Sequence, residues 1–137
     1  MLVFFTTLSD GDFLFVDSSH TLGPAGEVTR IVMSVLPKLG DNVYIHFHDI
    51  WFPYDYPGTL FKDTLFFWHE TALLMAFLAY NDSFCIELSL SMLHFERTSQ
   101  LEDIISGYQP ARGEYGIISD DGHYPSSLYL RRVKAVK

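Results

Sequence analysis

Polar side chains that could bind a metal ion follow two apolar runs of the sequence. Asp17 comes directly after the run Phe13–Val16, with His20 three residues further on. His48 and Asp49 come directly after a second apolar run, residues 43–47. Two carboxylates with an imidazole suit a divalent metal ion that keeps open positions for a substrate. The two clusters therefore indicate a metal site, provided that the fold brings them together.

The intervening sequence predicts such a fold. A continuously apolar run of four residues bounded by turn residues is typical of a buried parallel strand, and the run 43–47, which is apolar except for His46, predicts a second buried strand. Between them, apolar residues from 28 to 36 recur at spacings of three and four, which predicts a helix of about three turns. Strand, helix and strand within about 35 residues form a crossover unit of a parallel sheet. Both clusters then lie at the carboxyl ends of neighbouring strands, about 4.8 Å apart, where ligands of open α/β sheets bind.

The rest of the chain predicts further elements of an α/β domain. Pro53 and Pro57 predict a loop above the sheet, and the next segment has helix formers without glycine or proline. That helix is apolar nearly all round, so we expect it to be buried against the sheet. The predicted elements are a loop at 51–58, a long helix at 66–80, strands at 84–90 and 126–133, a short helix at 99–105 and a loop or hairpin region at 107–125.

Simpler interpretations of the same residues stay open. An aspartate at the end of a strand often caps the next turn, which would account for Asp17 and Asp49. His46 and His48 share one side of their strand, and a strand histidine is commonly a hydrogen-bonded core residue. Three further histidines lack partners at motif spacing and are typical of surface or packing positions: His69, His94 and His123. The zinc-helix H-E-x-x-H motif, the G-x-S-x-G elbow, the P-loop and C-x-x-C are all absent.

Composition limits the class of protein. The 137 residues fit one domain, and 48% apolar with 16% aromatic residues can form a core. A net charge of −8 would repel a phosphate backbone, so we expect no nucleic-acid partner. The apolar start, residues 1–8, lacks a basic segment and is too short to span a bilayer. We therefore expect a cytoplasmic protein without a membrane anchor.

Two polar motifs follow the predicted strands, Asp17-Ser18-Ser19-His20 in one segment and His46-Phe47-His48-Asp49 in a later one. Together with other segments of the chain, they resemble a class I S-adenosylmethionine-dependent methyltransferase family of bacteria. The resemblance covers nearly the whole chain in the right order. The segments that carry it are residues 11–20, 36–39, 46–50, 53–57, 68–70, 76–81 and 127–132.

The resemblance implies a Rossmann-like fold in which a seven-stranded sheet has the order 3-2-1-4-5-7-6. Residues 1–137 would form a single partial domain, the C-terminal half with strands 4-5-7-6 and flanking helices. The glycine-rich loop for S-adenosylmethionine and the acidic residue for its ribose, which belong to the N-terminal half, are absent. The first strand of this half would then expose an apolar edge. We expect that edge to drive homo-oligomerisation, aggregation or pairing with the missing half.

The resemblance also implies roles for individual residues. His20 matches a general base, while Asp17 and Asp49 match metal ligands in relatives that methylate hydroxyl groups. His48 stands where those relatives have an acidic residue, and an imidazole in place of an oxygen ligand disfavours magnesium relative to manganese, iron or zinc. The remaining expectations are cofactor contacts by Asp17, Ser18 and Ser19, and an acceptor pocket walled by Trp51, Tyr54 and Trp68. The implied activity is transfer of a methyl group from S-adenosylmethionine to a hydroxyl of a small molecule.

Two alternatives to a methyltransferase half remain open at this point. The missing glycine-rich loop favours a non-catalytic remnant that folds, or associates with other chains, without binding a cofactor. The other alternative is a mononuclear metal protein that uses His46, His48 and an aspartate for oxygen chemistry. That alternative requires the ring of His46 to face Asp17.

Overall fold

The computed structural model describes residues 5, 7–63, 65, 67–119 and 124–134. Its centre is a mixed sheet of four strands in the order β1-β2-β6-β3, and a separate two-stranded hairpin joins β4 to β5. The strands are β1 (Phe13–Val16), β2 (Tyr44–His48), β3 (Phe84–Ser89), β4 (Arg112–Gly113), β5 (Gly116–Ile117) and β6 (Ser127–Arg132).

Helices connect these strands. The first begins as an α-helix, passes through a π-helical turn at Ile31–Val35 and ends as a 3₁₀ turn at Leu36–Lys38. The α-helices are α1 (Glu27–Arg30), α2 (Gly58–Asp63), α3 (Glu70–Leu78), α4 (Leu90–Glu96) and α5 (Thr98–Ile104). Within the described ranges, no helix combines the length and the apolar character that crossing a lipid bilayer requires.

Strand pairing decides which residues meet at the edge of the sheet. β1 and β2 are parallel, with Phe15 opposite His46, so both strands end on the same side. β6 runs antiparallel to β2 on one side and to β3 on the other. Ser127, at the start of β6, is consequently opposite His48 at the end of β2. The loops after β1 and β2 and the residues just before β6 therefore share one edge.

The main core lies on one face of the sheet. Ile45 and Phe47 of β2 are fully buried there, together with Leu128 and Leu130 of β6. Their partners come from the first helical segment and α3, which include Val32, Val35, Leu36 and Leu74. The opposite face is more open, because Phe13 and Phe15 each expose 55% of their surface. Removing the core side chains from water is the main driving force that holds the helices on the sheet.

The α/β class, the four main strands and the parallel pairing of the first two are confirmed. The helix predicted at 66–80 is shorter, since helical structure runs only over Glu70–Leu78; Phe66 lies outside the described residues. The helix was expected to be buried against the sheet; its Leu74 is fully buried in the core, whereas Met75 is 37% exposed. Two helices, α2 and α4, were not predicted. The hairpin and the helix α5 were predicted. His123, predicted to be a surface or packing residue, lies outside the described residues.

Candidate functional site

The loop after β1 is fixed to the start of helix α3 through His20. Its backbone lies in the left-handed region, with φ of 56°. The carbonyl oxygen of His20 accepts hydrogen bonds from the backbone N–H groups of His69, at 2.7 Å, and Glu70, at 3.2 Å. These are N–H groups that a helix start leaves without an intrahelical partner. The unusual backbone angle therefore coincides with the docking of the loop on a helix terminus.

The side chains of His20 and Glu70 form a buried pair at the same place. His20 Nδ1 lies 2.8 Å from Glu70 Oε2. Ser18 extends the pair, because its hydroxyl donates to Glu70 Oε2 at 2.7 Å and accepts from the His20 backbone N–H at 3.1 Å. His20 is 5% exposed and Glu70 only 1%. A carboxylate on Nδ1 fixes the orientation of the ring and leaves Nε2 as the nitrogen that can exchange a proton.

Two aspartates lie on the Nε2 side of His20. Nε2 is 3.7 Å from Asp17 Oδ1 and 3.8 Å from Asp49 Oδ2. His48 joins them, with Nδ1 3.4 Å from Asp49 Oδ2 and 3.8 Å from Asp17 Oδ1. The side chains of Asp17 and His48 are about half exposed, at 55% and 46%. The cluster is thus anchored in the protein at Glu70 and reaches solvent at Asp17 and His48.

Opposing effects act on the proton affinity of His20. Burial lowers the pKa of His20 because it disfavours the charged imidazolium. The hydrogen bond to Glu70 and the negative charges of Glu70, Asp49 and Asp17 act in the other direction. The carboxylates prevail, so that the pKa of His20 is raised above its ordinary value of 6.5. An imidazole in this setting is a stronger base than a free one.

Asp49 is held by the loop that follows it and by the start of β6. Its backbone is left-handed, with φ of 54°, a conformation that aspartate tolerates better than most residues. Ser126 donates its hydroxyl to Asp49 Oδ1 at 2.8 Å, and the Tyr56 hydroxyl donates to the Asp49 carbonyl at 3.1 Å. Burial raises the pKa of Tyr56 to about 12, so its hydroxyl stays protonated and can donate.

Aromatic rings cover the cluster on one side. The ring of Trp68 lies 4.5 Å from that of His20, and Tyr56 packs on Trp68 edge to face at 5.4 Å. Trp51 lies 6.3 Å from Tyr56 and stacks on Tyr124 at 4.0 Å. Trp68 is thus next to His20, whereas Trp51 is two rings further away.

The three residues predicted to wall one acceptor pocket are divided between two places. Trp51 and Tyr54 line a cavity of about 410 Å³, and Trp68 is not among the described residues that line it. Tyr54 contacts Phe95 edge to face at 4.9 Å. The structure therefore places Trp51 and Tyr54 at this cavity and Trp68 beside His20.

The predicted metal ligands come close to one another. Asp17, His48 and Asp49 are neighbours, but the part of the chain that the structure describes contains no group of three or more His, Cys, Asp or Glu side chains arranged to hold a metal ion. His46 does not join them, because its Nε2 lies 3.0 Å from the Ser127 hydroxyl and its ring stacks on Tyr129 at 4.2 Å.

The residues predicted to contact the cofactor mostly serve the loop itself. Ser18 is engaged by Glu70 and His20, and Ser19 donates its backbone N–H to Glu27 Oε1 at 2.9 Å. The Ser19 hydroxyl lies 3.2 Å from that of Thr21. Asp17, with its exposed carboxylate, is the one member of this set that is free to reach outward for a ligand. These residues fit one polar contact to a cofactor and do not replace a glycine-rich loop.

Glu70 is the site residue that sequence reasoning missed. Its segment, residues 68–70, is one of those that carry the family resemblance, but its pairing with His20 was not predicted. The only available signal was an acidic residue in the first turn of a helix, a position favoured for helix stability alone. Its second oxygen, Oε1, is buried with no hydrogen-bond partner among the described residues.

Comparison with known proteins gives no relative on which to rely: no family model, curated protein or solved structure matches the chain. The chemistry of the site therefore has to be argued from its own residues. A buried imidazole with a carboxylate on one nitrogen, and a raised pKa, can remove a proton from a group placed at its other nitrogen.

Proposed function

We propose that this chain is the catalytic half of an S-adenosylmethionine-dependent methyltransferase that acts on a hydroxyl group of a small molecule. The observation that carries the proposal is the position of His20 between Glu70 on Nδ1 and the Asp17–Asp49 side on Nε2. Methyl transfer to a hydroxyl requires a base of this kind, because the oxygen becomes a good nucleophile only as its proton leaves.

The sheet supports the proposal. Its order β1-β2-β6-β3, with β6 antiparallel to both neighbours, corresponds to strands 4-5-7-6 of the fold that the sequence resembles. In that correspondence, β6 occupies the place of strand 7. The candidate base then lies after the fourth strand and Asp49 after the fifth, both at the carboxyl edge of the sheet.

The proposed mechanism assigns each step to a residue of this chain. S-adenosylmethionine, when bound, would supply an electrophilic methyl group on a sulfonium. His20 Nε2 removes the proton of an acceptor hydroxyl, and the charge of Glu70 stabilises the imidazolium that forms. Asp17 and Asp49 stabilise the same positive charge from the other side. Trp68 and Tyr56 exclude water from one side of the ring, which strengthens these charge interactions.

Two partners are part of the proposal. One is the small-molecule acceptor, and the other is the segment or chain that provides the glycine-rich loop. A divalent ion at Asp17, His48 and Asp49 stays a prediction, which calorimetric titration of Mn²⁺ or Mg²⁺ into the protein and into Asp17→Ala would test. Metal binding that is lost in the variant would add the ion to the site.

The proposal can be tested by following the methyl group. Extract of cells that express the chain supplies candidate acceptors and partner segments, and radiolabelled S-adenosylmethionine supplies the label. We expect a labelled small molecule with the wild-type chain, and at least about 100-fold less with His20→Ala, since general base catalysis contributes that much. Equal labelling by both proteins, or no labelling that depends on the chain, would overturn the proposal.

A non-catalytic domain that associates with other chains is the second candidate. The observation that favours it is the exposure of Phe13 and Phe15 on β1, each at 55%. Apolar exposure of this kind on a sheet edge is typical of a surface that pairs with another segment. Stable association without any methyl transfer would favour this candidate over the enzyme.

A further inference from the structure

A cavity beside the candidate site combines aromatic walls with negative charge. It has a volume of about 410 Å³, which is within the range of small-molecule sites. Three aromatic side chains line it, namely Trp51, Tyr54 and Phe95. The charged residues among its described lining, Asp55 and Glu96, are both acidic. These two carboxylates attract a cationic ligand and repel an anionic one.

The walls of the cavity are held by packing on both sides. Trp51 is stacked on Tyr124 at a ring distance of 4.0 Å, with 23° between the planes. Tyr54 meets Phe95 edge to face at 4.9 Å, and Phe95 in turn contacts the buried His94 at 4.8 Å. The rings are therefore in place before a ligand arrives, which lowers the entropy cost of binding.

The negative charge is close to these rings. Burial raises the pKa of Tyr54, and the charge of Glu96 raises it further. Glu96 is the last residue of α4, and the basic residue that follows it, Arg97, lines an adjoining cavity together with Arg112. Glu96 and Asp55 thus face the aromatic cavity without a basic residue among its described lining residues.

We propose that this cavity binds a small organic cation, a protonated or quaternary amine. Aromatic faces attract cations through the ring quadrupole, and carboxylates at the mouth attract them from a greater distance. Three ring contacts separate the cavity from His20, namely Trp51 to Tyr56 at 6.3 Å, Tyr56 to Trp68 at 5.4 Å and Trp68 to His20 at 4.5 Å. A small cation bound in the cavity therefore lies away from the candidate base, and its binding does not depend on the proposed methyl transfer.

Charge can be separated from shape with two matched probes. Choline and its neutral isostere 3,3-dimethylbutan-1-ol have the same size and hydroxyl, so a difference in affinity measures the charge. Binding is followed by calorimetry and by the fluorescence of Trp51 in Trp68→Phe, because the chain has 2 tryptophans. We expect choline to bind at least about tenfold more tightly than the isostere.

Variants locate the bound cation. Glu96→Gln is expected to weaken choline binding several-fold and to leave the isostere unaffected, because Glu96 is exposed and its replacement does not threaten folding. Glu114→Gln makes the same change of charge in the exposed turn of the hairpin and is expected to have no effect. Equal affinity for the two probes, or equal weakening by the two variants, would overturn the cation site.

His20→Ala distinguishes this proposal from the proposed function. The cavity does not include His20, so choline affinity is expected to be unchanged in this variant even if methyl transfer is never found. Loss of choline binding in His20→Ala, with an unchanged circular dichroism spectrum, would place the cation at the imidazole–carboxylate cluster and overturn the assignment to the cavity.

Discussion

His20 and Glu70 are separated by 50 positions in the sequence, yet His20 Nδ1 lies 2.8 Å from Glu70 Oε2. The same two residues are also joined through their backbones, since the His20 carbonyl accepts from the Glu70 N–H at 3.2 Å. His20 and Glu70 are thus joined by one neutral and one charge-assisted hydrogen bond, which fix the loop after β1 to the start of α3. A proton that moves on or off His20 therefore acts on the attachment of a helix as well as on the chemistry of the site.

Glu70→Gln is expected to lower the pKa of His20. Glutamine can still accept a hydrogen bond from Nδ1–H, but it removes the negative charge that opposes the effect of burial. The titration of the His20 ring protons, followed by NMR from pH 5 to pH 9, gives the pKa directly. Glu87→Gln removes a carboxylate that pairs with Arg131 on another part of the sheet, and is the control. A His20 pKa that is the same in Glu70→Gln and in Glu87→Gln would contradict the assignment of Glu70.

His20 should also make stability depend on pH in a defined direction. Its pKa is raised on folding, so its contribution is fully present below the ordinary value of 6.5 and is lost as the pH rises through the folded-state pKa. His20→Gln should therefore cost about 1.5–3 kcal/mol at pH 6, where a charged hydrogen bond is lost, and about 0.5–1.5 kcal/mol at pH 9. Urea unfolding of both proteins at both pH values measures the difference. A cost that is larger at pH 9 would show that His20 is neutral in the folded protein.

The sequence predicted the proximity of Asp17 and Asp49 because parallel pairing follows from simple patterns. Two short apolar runs separated by a helix favour neighbouring parallel strands, and the carboxyl ends of such strands lie at the same edge of the sheet. The partner of His20 could not be predicted in this way. It depends on a left-handed residue at position 20 and on where α3 begins, and both result from tertiary packing rather than from periodicity.

The helix α4 shows a second limit of sequence patterns. Its start at Leu90 follows β3 without a break, and the hydroxyl of Ser89 caps it by accepting the N–H of Met92 at 3.2 Å. Residues 84–90 were predicted to form one strand. The sequence pattern alone does not show that Ser89, within this stretch, caps a helix. Burial of Ser91 and His94 likewise depends on contacts made far along the chain.

Tyr108→Phe tests the packing behind the aromatic cavity. His94 is fully buried; its Nε2 lies 3.1 Å from the Ile118 carbonyl, and its Nδ1 lies 2.6 Å from the Tyr108 hydroxyl. A carbonyl can only accept, so Nε2 carries the proton and Nδ1 accepts from Tyr108. The variant leaves Nδ1 buried without a partner, which should lower the free energy of unfolding by about 1–3 kcal/mol.

Tyr115→Phe is the control for that measurement, because Tyr115 is 95% exposed and its loss of a hydroxyl should change stability by less than about 0.5 kcal/mol. Burial lowers the pKa of His94, so its contribution to stability falls as the pH decreases below 6.5. Chemical denaturation of the two variants at pH 8 avoids that effect. Equal stability of Tyr108→Phe and Tyr115→Phe would mean that the hydroxyl of Tyr108 does not serve His94.

Phe15→Lys tests the edge of the sheet. β1 pairs with β2 on one side, and no strand among the described residues pairs with its other side. Free backbone groups beside exposed aromatic rings favour pairing with another chain, and a lysine on an edge strand opposes it. We expect the wild-type protein to associate at micromolar concentration and Phe15→Lys to shift it toward monomer in sedimentation velocity experiments. Met33→Lys places the same charge at a 59% exposed position on the first helical segment and should not shift it. A monodisperse wild-type monomer would show that this edge is tolerated in water, and it would weaken both the non-catalytic candidate and the need for a second segment at β1.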